Sequence, residues 1–516
     1  MIPQADDTAR SSLSIVLSIL SKINYLTTLI AYSPWWFRVD QKIIDQIEKI
    51  VGKDGYSIRK ADLYTYGFDA SIFHATPDIV IQPRSTEQVS EIMKIANANL
   101  IPVVPRGAGT GLCGSAVPIK GGIVMDMSRM NKVLNVSVGD LWVDVQAGCV
   151  YNALNDELAK YGFFFPCSPG SAEAAEIGGM VAANASGMRA VKYGATRDFV
   201  LGMTFVKADG EIVRAGTRTI KDSSGYQLAR LLCGSEGTLG IITEVTLKLT
   251  TKPHASASAL ISFDSVYDAG RCISAIIAKP LIPASCELMD SVSIDAVNKS
   301  QGNPHPDCKA LIIVECDGEP EQVDRDLATV AEIAKEIGCQ TITATHDKKQ
   351  IAAWTSARKS VMTSLSALKP GYSSVSLADD MGVPVSKVPD AVTAYQKIAD
   401  KYRVTVATYG HASDGNLHTK MLLNPLDKDE WDRGTKAVNE IFDATIALGG
   451  TVTGEHGVGI SKAPDFQKER ASALSTIKAI KKAFDPNNIL NPGKVDQWEG
   501  RILGKVSLRY PCKEYM

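Results

Sequence analysis

The stretch Gly109-Thr110-Gly111-Leu112-Cys113-Gly114 has G-x-G-x-x-G spacing, yet nothing after it reads as a helix. Ser115-Ala116-Val117-Pro118 and then Gly121-Gly122-Ile123-Val124-Met125-Asp126 read as loop and strand. A doubly wound dinucleotide fold needs a helix directly behind its glycines, so that fold is excluded. The remaining use of such a loop is a nest, whose successive backbone N–H groups wrap a pyrophosphate. More glycine-rich pieces follow at residues 168–171, 176–187, 192–198 and 233–240. Each alone is a turn. Spaced by strand-like runs at residues 200–206, 212–215 and 241–249, they together point to backbone packed against a large flat cofactor.

Upstream, residues 41–51 have helical apolar spacing, and residues 77–83 read as a short strand between prolines. Ser85-Thr86-Glu87-Gln88 offers a capping box for a helix faced by Val89, Ile92, Met93 and Ala96. Residues 101–105 supply the next strand of a β-α-β opening. Beyond Lys252, strands and helices alternate as an α+β layer that ends in a helix at 474–484 and an Asn/Pro/Gly-rich stretch. The expected organisation is an apolar N-terminal extension (1–39), a cofactor-binding domain (40–252) and a cap (253–470). A returning segment (471–496) and a tail (497–516) complete it.

The chain has seven histidines, and three fall in two short stretches of the cap. Residues 404–409 and 417–423 read as strands around Asp414-Gly415, a strong hairpin signal. The hairpin places His411 and His418 side by side. With Glu455 they form the two-imidazole, one-carboxylate set of a catalytic divalent-metal site that keeps a position open. His456 stays free as acid or base. Asp379 and Asp380 read equally as carboxylates orienting a ligand or as a solvated loop pair, and His74, His254, His305 and His346 as surface or loop residues.

A net charge of -2 without a Lys/Arg stripe excludes a nucleic-acid footprint. Ten cysteines without a C-x-x-C pair argue against an iron–sulfur cluster held by this chain, and suit buried thiols in the cytoplasm. Residues 11–31 are rich in Leu and Ile but interrupted by Lys22 and Asn24, before Pro34-Trp35-Trp36-Phe37. That pattern favours an amphipathic helix or an over-early start, with peripheral membrane contact as the minority alternative.

Pro105-Arg106-Gly107-Ala108-Gly109-Thr110-Gly111, the block from Ile177-Gly178-Gly179 to Tyr193-Gly194, Gly234 to Gly240, and Asn491-Pro492-Gly493-Lys494 together resemble one superfamily. It is the FAD-linked oxidases of the vanillyl-alcohol-oxidase and p-cresol-methylhydroxylase (PCMH) type. Residues 410–418 with 454–457 resemble its D-2-hydroxy-acid dehydrogenase branch, which includes D-lactate dehydrogenase, the glycolate oxidase FAD subunit and D-2-hydroxyglutarate dehydrogenase.

The resemblance implies an α+β chain: a two-lobed PCMH-type FAD-binding domain, an α+β ferredoxin-like cap and a C-terminal helical segment. It implies a pyrophosphate on residues 106–111, flanked by Pro105, Leu112 and Ser115. Pro169, Gly170 and Ser171, then Ile177, Gly178, Gly179, Asn184, Ser186 and Gly187, would line the flavin, with Tyr193 and Gly194 beyond. Glu236, Gly240, Ile241 and Ile242 would approach the adenosine half, and Asn491 would close the site. No histidine lies in these motifs, so FAD is expected to be non-covalent. Two departures stand out. Ser413 replaces a hairpin glycine and would be strained at positive φ, and Ser186 replaces a frequent glycine beside the flavin.

The implied reaction is oxidation of a small D-2-hydroxy acid by hydride transfer to flavin N5. The metal on His411, His418 and Glu455 (zinc first, manganese and iron open) binds the substrate oxygens. His456 is the base, and Arg358 clamps the carboxylate against the rival reading of an exposed helix arginine. Asn416 holds a substrate oxygen or braces the hairpin. Acid at residues 377–380, where the hydroxyglutarate branch carries lysine, favours a monocarboxylate such as D-lactate or glycolate. Electrons would leave to an iron–sulfur subunit, an electron-transfer flavoprotein, a cytochrome or quinone. The competing classes are weaker. A zinc hydrolase would lack H-E-x-x-H, a non-catalytic FAD subunit need not keep the histidines, and the ether-lipid synthase pattern differs.

Overall fold

The computed structural model describes residues 39–377, 379–497 and 507–508, so the N-terminal apolar segment lies outside the described residues. Helix Gln41–Val51 starts at the N-cap Asp40 and buries Ile43, Ile44, Ile47 and Val51, one stripe at helical spacing. Helix Thr86–Ala98 starts at Ser85, whose hydroxyl accepts the Gln88 N–H. Gln88 reaches back to the Arg84 N–H at 2.7 Å, one residue earlier than the capping box reading. These helices cover a four-stranded sheet ordered Tyr56–Ser57, Ile79–Ile81, Ile123–Asp126, Val103–Arg106, in which the last three strands are parallel. No helix follows Arg106; the chain loops through residues 107–122 into Ile123–Asp126.

The second lobe is an antiparallel five-stranded sheet ordered Ile212–Gly216, Val200–Val206, Ile241–Lys248, Trp142–Gln146, Val133–Ser137. The short helix Ile177–Ala183 buries Ile177, Met180 and Val181 in its core. The returning segment closes the first lobe: Leu490 bridges Val103, and the Asn491 N–H donates to the Val103 carbonyl at 2.8 Å.

The cap is an antiparallel sheet ordered Thr341–Thr345, Ala255–Phe263, Ala310–Gly318, Ser285–Asp290, Thr405–His411, Asn416–Leu423, Ser373–Val375, with Met381–Gly382 also on Asn416–Leu423. Alternation decides which face each side chain meets. Cys286, Leu288, Val406 and Met421 pack under helices Val266–Ile277, Pro320–Ile337, Val388–Tyr402 and Lys428–Ala447. Met289, Ala407, Tyr409 and Leu422 face helices Ser291–Gln301 and Lys348–Lys359 on the other side. Among the histidines set aside above, His254 and His346 are exposed, each beside a carboxylate, Glu319 or Asp324. His74 packs against Phe68 with its ring tilted by 34°, and His305, although in a loop, is buried.

Candidate active site

The hairpin pairs Tyr409 with His418 and His411 with Asn416, so the two histidines are diagonal rather than opposite. Their rings still meet, with centroids 5.2 Å apart and planes at 89°. Gly415 carries the positive φ of the turn, 83°, whereas Ser413 carries none, so the expected strain at serine does not arise. Asn416 braces the hairpin: its amide donates to Asp380 at 2.9 Å and to the Met381 carbonyl at 3.0 Å. It lies outside the cavity lining.

Asp380 is fully buried and locks the Glu455–His456 turn in place. Its carboxylate accepts the N–H of Glu455 at 2.9 Å and of His456 at 2.8 Å, the Thr453 hydroxyl at 2.9 Å and the Lys462 ammonium at 3.0 Å. The reading of Asp379 and Asp380 as a solvated loop pair is therefore overturned: both are buried. Asp379 pairs with Lys420 at 2.5 Å, and its oxygens face Nδ1 of His418 and of His456, each at 3.4 Å. Glu287, absent from the sequence reading, takes Nδ1 of His411 at 2.7 Å.

With every Nδ1 turned to a carboxylate, the three Nε2 atoms point at one another's partner. Those of His411, His418 and His456 each lie 3.5 Å from Glu455 Oε1. Donors about 2.0–2.2 Å from a tetrahedral ion stand roughly 3.3–3.6 Å apart, so the spacings of His411 and His418 to Glu455 suit zinc, with His456 beside them. Asp380, His418, Glu455 and His456 also lie within 4.8 Å of one another, but Asp380 is engaged by the turn it holds. The Ser186 hydroxyl donates to Glu455 Oε2 at 2.8 Å, tying the glycine-rich segment to this cluster.

Electrostatics follow from burial and pairing. Burial alone would raise Glu455, but the neighbouring imidazoles outweigh it and hold the carboxylate far below its usual range. Burial opposes charge on His411 and His456 too; Glu287 and Glu455 raise the first well above its usual value, and Asp380 and Asp379 raise the second. His418 is lowered, because burial there exceeds the pull of Asp379.

One cavity of about 470 Å³ joins this cluster to the glycine loop. Pro105 to Leu112, Ser115, Pro169 to Ser171, Gly178, Gly179, Ser186, Glu236, Gly240 and Ile242 line it, with Arg358, His411, His418, Glu455 and His456. Among the described residues, the backbone N–H groups of residues 107–112 donate to no protein acceptor, which suits a nest for a pyrophosphate. The Arg106 guanidinium is occupied with the Phe68 carbonyl and lies over Tyr66.

Other expected cofactor contacts lie off this lining. Ile177 and Ile241 point into the lobe cores. Asn184 caps a helix at φ 50°, and Gly187 sits against the Ser168 carbonyl. The Tyr193 hydroxyl donates to Asp317 in the cap at 2.7 Å, and the Gly194 carbonyl accepts from the Cys167 thiol. Asn491 donates to the carbonyls of Ser115 at 2.8 Å and Glu236 at 2.7 Å, tying loops together from behind. Glu236 itself accepts the N–H groups of Val458 and Gly459.

Arg358 is not an exposed helix residue: 5% of it is accessible, and its guanidinium lies 4.8 Å over the Tyr409 ring. Lys420 and Glu176 also line the cavity and were missed. Lys420 was detectable as the second residue after His418, on the same face of a strand.

A glycine nest that opens onto an imidazole–carboxylate cluster, on two lobes and a cap, defines a nucleotide-cofactor redox protein. Residues 77–216 match the FAD binding domain family, and residues 252–495 match the C-terminal domain of FAD linked oxidases. The glycolate oxidase subunit GlcD of Bacillus subtilis is 37% identical over 460 residues, 89% of this chain and 97% of that one. The mitochondrial D-lactate dehydrogenase [cytochrome] of Arabidopsis thaliana is 35% identical over 463 residues, 89% of this chain and 80% of that one. A p-cresol methylhydroxylase structure superposes with a TM-score of 0.74 at 18% identity, covering 88% of this chain and 96% of that one. The chain belongs to the FAD-linked oxidase family and is an FAD-dependent oxidoreductase with the PCMH-type fold.

Proposed function

We propose that the protein oxidises a small D-2-hydroxy acid to the 2-oxo acid, with a divalent metal on His411, His418 and Glu455, and passes the electrons to a separate acceptor. The observation that carries this reading is the convergence of three Nε2 atoms on Glu455 Oε1, each at 3.5 Å, on the cavity that the glycine loop also lines. When bound, FAD accepts the electron pair at the flavin, and the metal makes the substrate hydroxyl more acidic. Arg358, on the cavity wall with its guanidinium over the Tyr409 ring, is the cation that holds the substrate carboxylate. His456 takes the hydroxyl proton while Asp379 faces its Nδ1 at 3.4 Å.

Glycolate and D-lactate come first as substrates because the relatives at 37% and 35% identity carry those names. The sequence argument for a monocarboxylate loses its ground, since Lys420 neutralises Asp379 and Lys462 neutralises Asp380. With that acid paired, D-2-hydroxyglutarate stands as the second reading.

Anaerobic titration of the FAD-loaded protein with D-lactate, L-lactate, glycolate and D-2-hydroxyglutarate tests this by bleaching of the flavin band. Bleaching by a D-acid or glycolate, abolished by a chelator and restored by zinc, is expected. No bleaching by any acid in zinc-loaded protein would end the proposal, and turnover retained by His456→Ala would end the base assignment.

A further inference from the structure

Strand Ser285–Asp290 lies beside Thr405–His411, pairing Leu288 with Gly410 and Met289 with Tyr409. All six of its residues are buried, and alternation sends Glu287 to the face that carries Tyr409 and His411. A carboxylate there, with no accessible surface, needs compensation. It has two partners from different elements. Its Oε1 lies 2.7 Å from His411 Nδ1, and its Oε2 lies 2.7 Å from Arg358 Nη2, off the line of a good hydrogen bond. Arg358 comes from helix Lys348–Lys359, so one side chain ties two neighbouring strands to a helix packed on them.

We propose that Glu287 is the positioning residue that couples the metal site to the substrate-carboxylate site, its two oxygens fixing His411 and Arg358 relative to each other. This rests on the function proposed above. The Oε1 contact fixes the His411 ring so that Nε2 faces Glu455 at 3.5 Å. The Oε2 contact draws the guanidinium toward the strand while Tyr409 supports its flat face at 4.8 Å. Arg358 held in this way still lines the cavity, where its guanidinium can meet a carboxylate. Substrate held by its carboxylate on Arg358 thereby presents its hydroxyl to the ion side at a fixed spacing, which neither residue sets alone.

Glu287→Gln keeps the volume and removes the charge; Glu287→Asp keeps the charge and withdraws both oxygens by one methylene. Each full-length, FAD-loaded variant is compared with the parent for FAD content, thermal transition, zinc affinity by competition with a chelating dye, and KM for D-lactate and glycolate at saturating zinc. FAD content is expected to hold, while zinc affinity falls about 10- to 100-fold and KM at saturating zinc rises about 10-fold. Loss of zinc affinity without the KM change, or the reverse, overturns the coupling, as do variants within about threefold of the parent in both. If Glu287→Gln does not fold, Glu287→Asp decides alone. A parent that binds no zinc and is bleached by no hydroxy acid overturns the functional reading as well; a competent parent with unaffected variants overturns this inference only.

Discussion

The Glu176 carboxyl lies 3.2 Å from where a Cβ on Gly107 would stand, within the cradle expected to hold a pyrophosphate. An ionised carboxylate there would repel a phosphate. Burial pushes this group up to about 8 from the ordinary 4.5, with Asp126 adding to the rise and Arg106 opposing it. At neutral pH it is therefore protonated in the folded chain. The sign follows: the fold holds a proton that the unfolded chain releases, so this group's contribution is full below about 4.5 and lost as pH rises to about 8. Glu176→Gln, which cannot ionise, is expected to gain stability over the parent across that window, by on the order of a few kcal/mol, and to level off above it. Urea denaturation of both apo proteins from about pH 5 to about pH 9 measures this, and a constant difference between them would refute it. Ser186 shows the same economy at the other end of the cavity. The serine that departs from the family's glycine holds Glu455 at 2.8 Å, which ties the departure to the imidazole–carboxylate cluster.

At the level of elements, the hairpin is where local sequence carried the most. Alternating apolar residues and Asp414-Gly415 announced both strands, and Gly415 is needed because its φ is 83° and a Cβ would run into the Val383 carbonyl. Gly415→Ala should therefore splay His411 from His418, cutting zinc affinity by about 10-fold or more while FAD content stays near that of the parent. Stoichiometric zinc in that variant at the parent's affinity would count against the assignment of these histidines. The helices at 41–51 and 86–98 were legible from spacing and caps for the same reason: their signals are local. What sequence did not carry was long-range. Glu287 meets His411 across 124 residues, and its strand Ser-Cys-Glu-Leu-Met-Asp gives no local sign that glutamate faces a site. For Asp379 and Asp380 the sequence left ligand-orienting carboxylates and a solvated loop pair equally open, because Lys420 and Lys462, which make their burial tolerable, lie 41 and 82 residues away. Tyr193 entered the cofactor set through the family resemblance of the block ending in Gly194, whereas its hydroxyl meets Asp317 of the cap.

At the scale of the whole molecule, the FAD lobes and the cap are joined in two different ways. On one side Ile72, Phe73, Ala75 and Val117 enter the cap's own hydrophobic core, a contact that is tight and indifferent to charge. On the other, the strand Ala310–Gly318 presents Glu315 and Asp317 to Arg189, Lys192 and Tyr193: Arg189 meets Glu315 at 2.8 Å, and Lys192 and Tyr193 both reach Asp317. The Asp317 side chain has no exposure, while that of Lys192 keeps 27%, so removing the charge should cost about 2 kcal/mol, less than a fully buried pair. The two lobe cores and the cap core are otherwise separate clusters, which is the condition for cooperativity to break at a seam. Asp317→Asn should therefore let the polar side of the junction open before either unit melts. In the variant, flavin fluorescence released on heating is expected to appear several degrees below the loss of far-UV circular dichroism, while the parent shows both together. The same change should leave zinc affinity at the Glu455 cluster within about twofold. Coincident transitions in the variant would mean that the apolar contact at residues 72–75 and 117 alone holds the lobes, and that the ion cluster only decorates the seam.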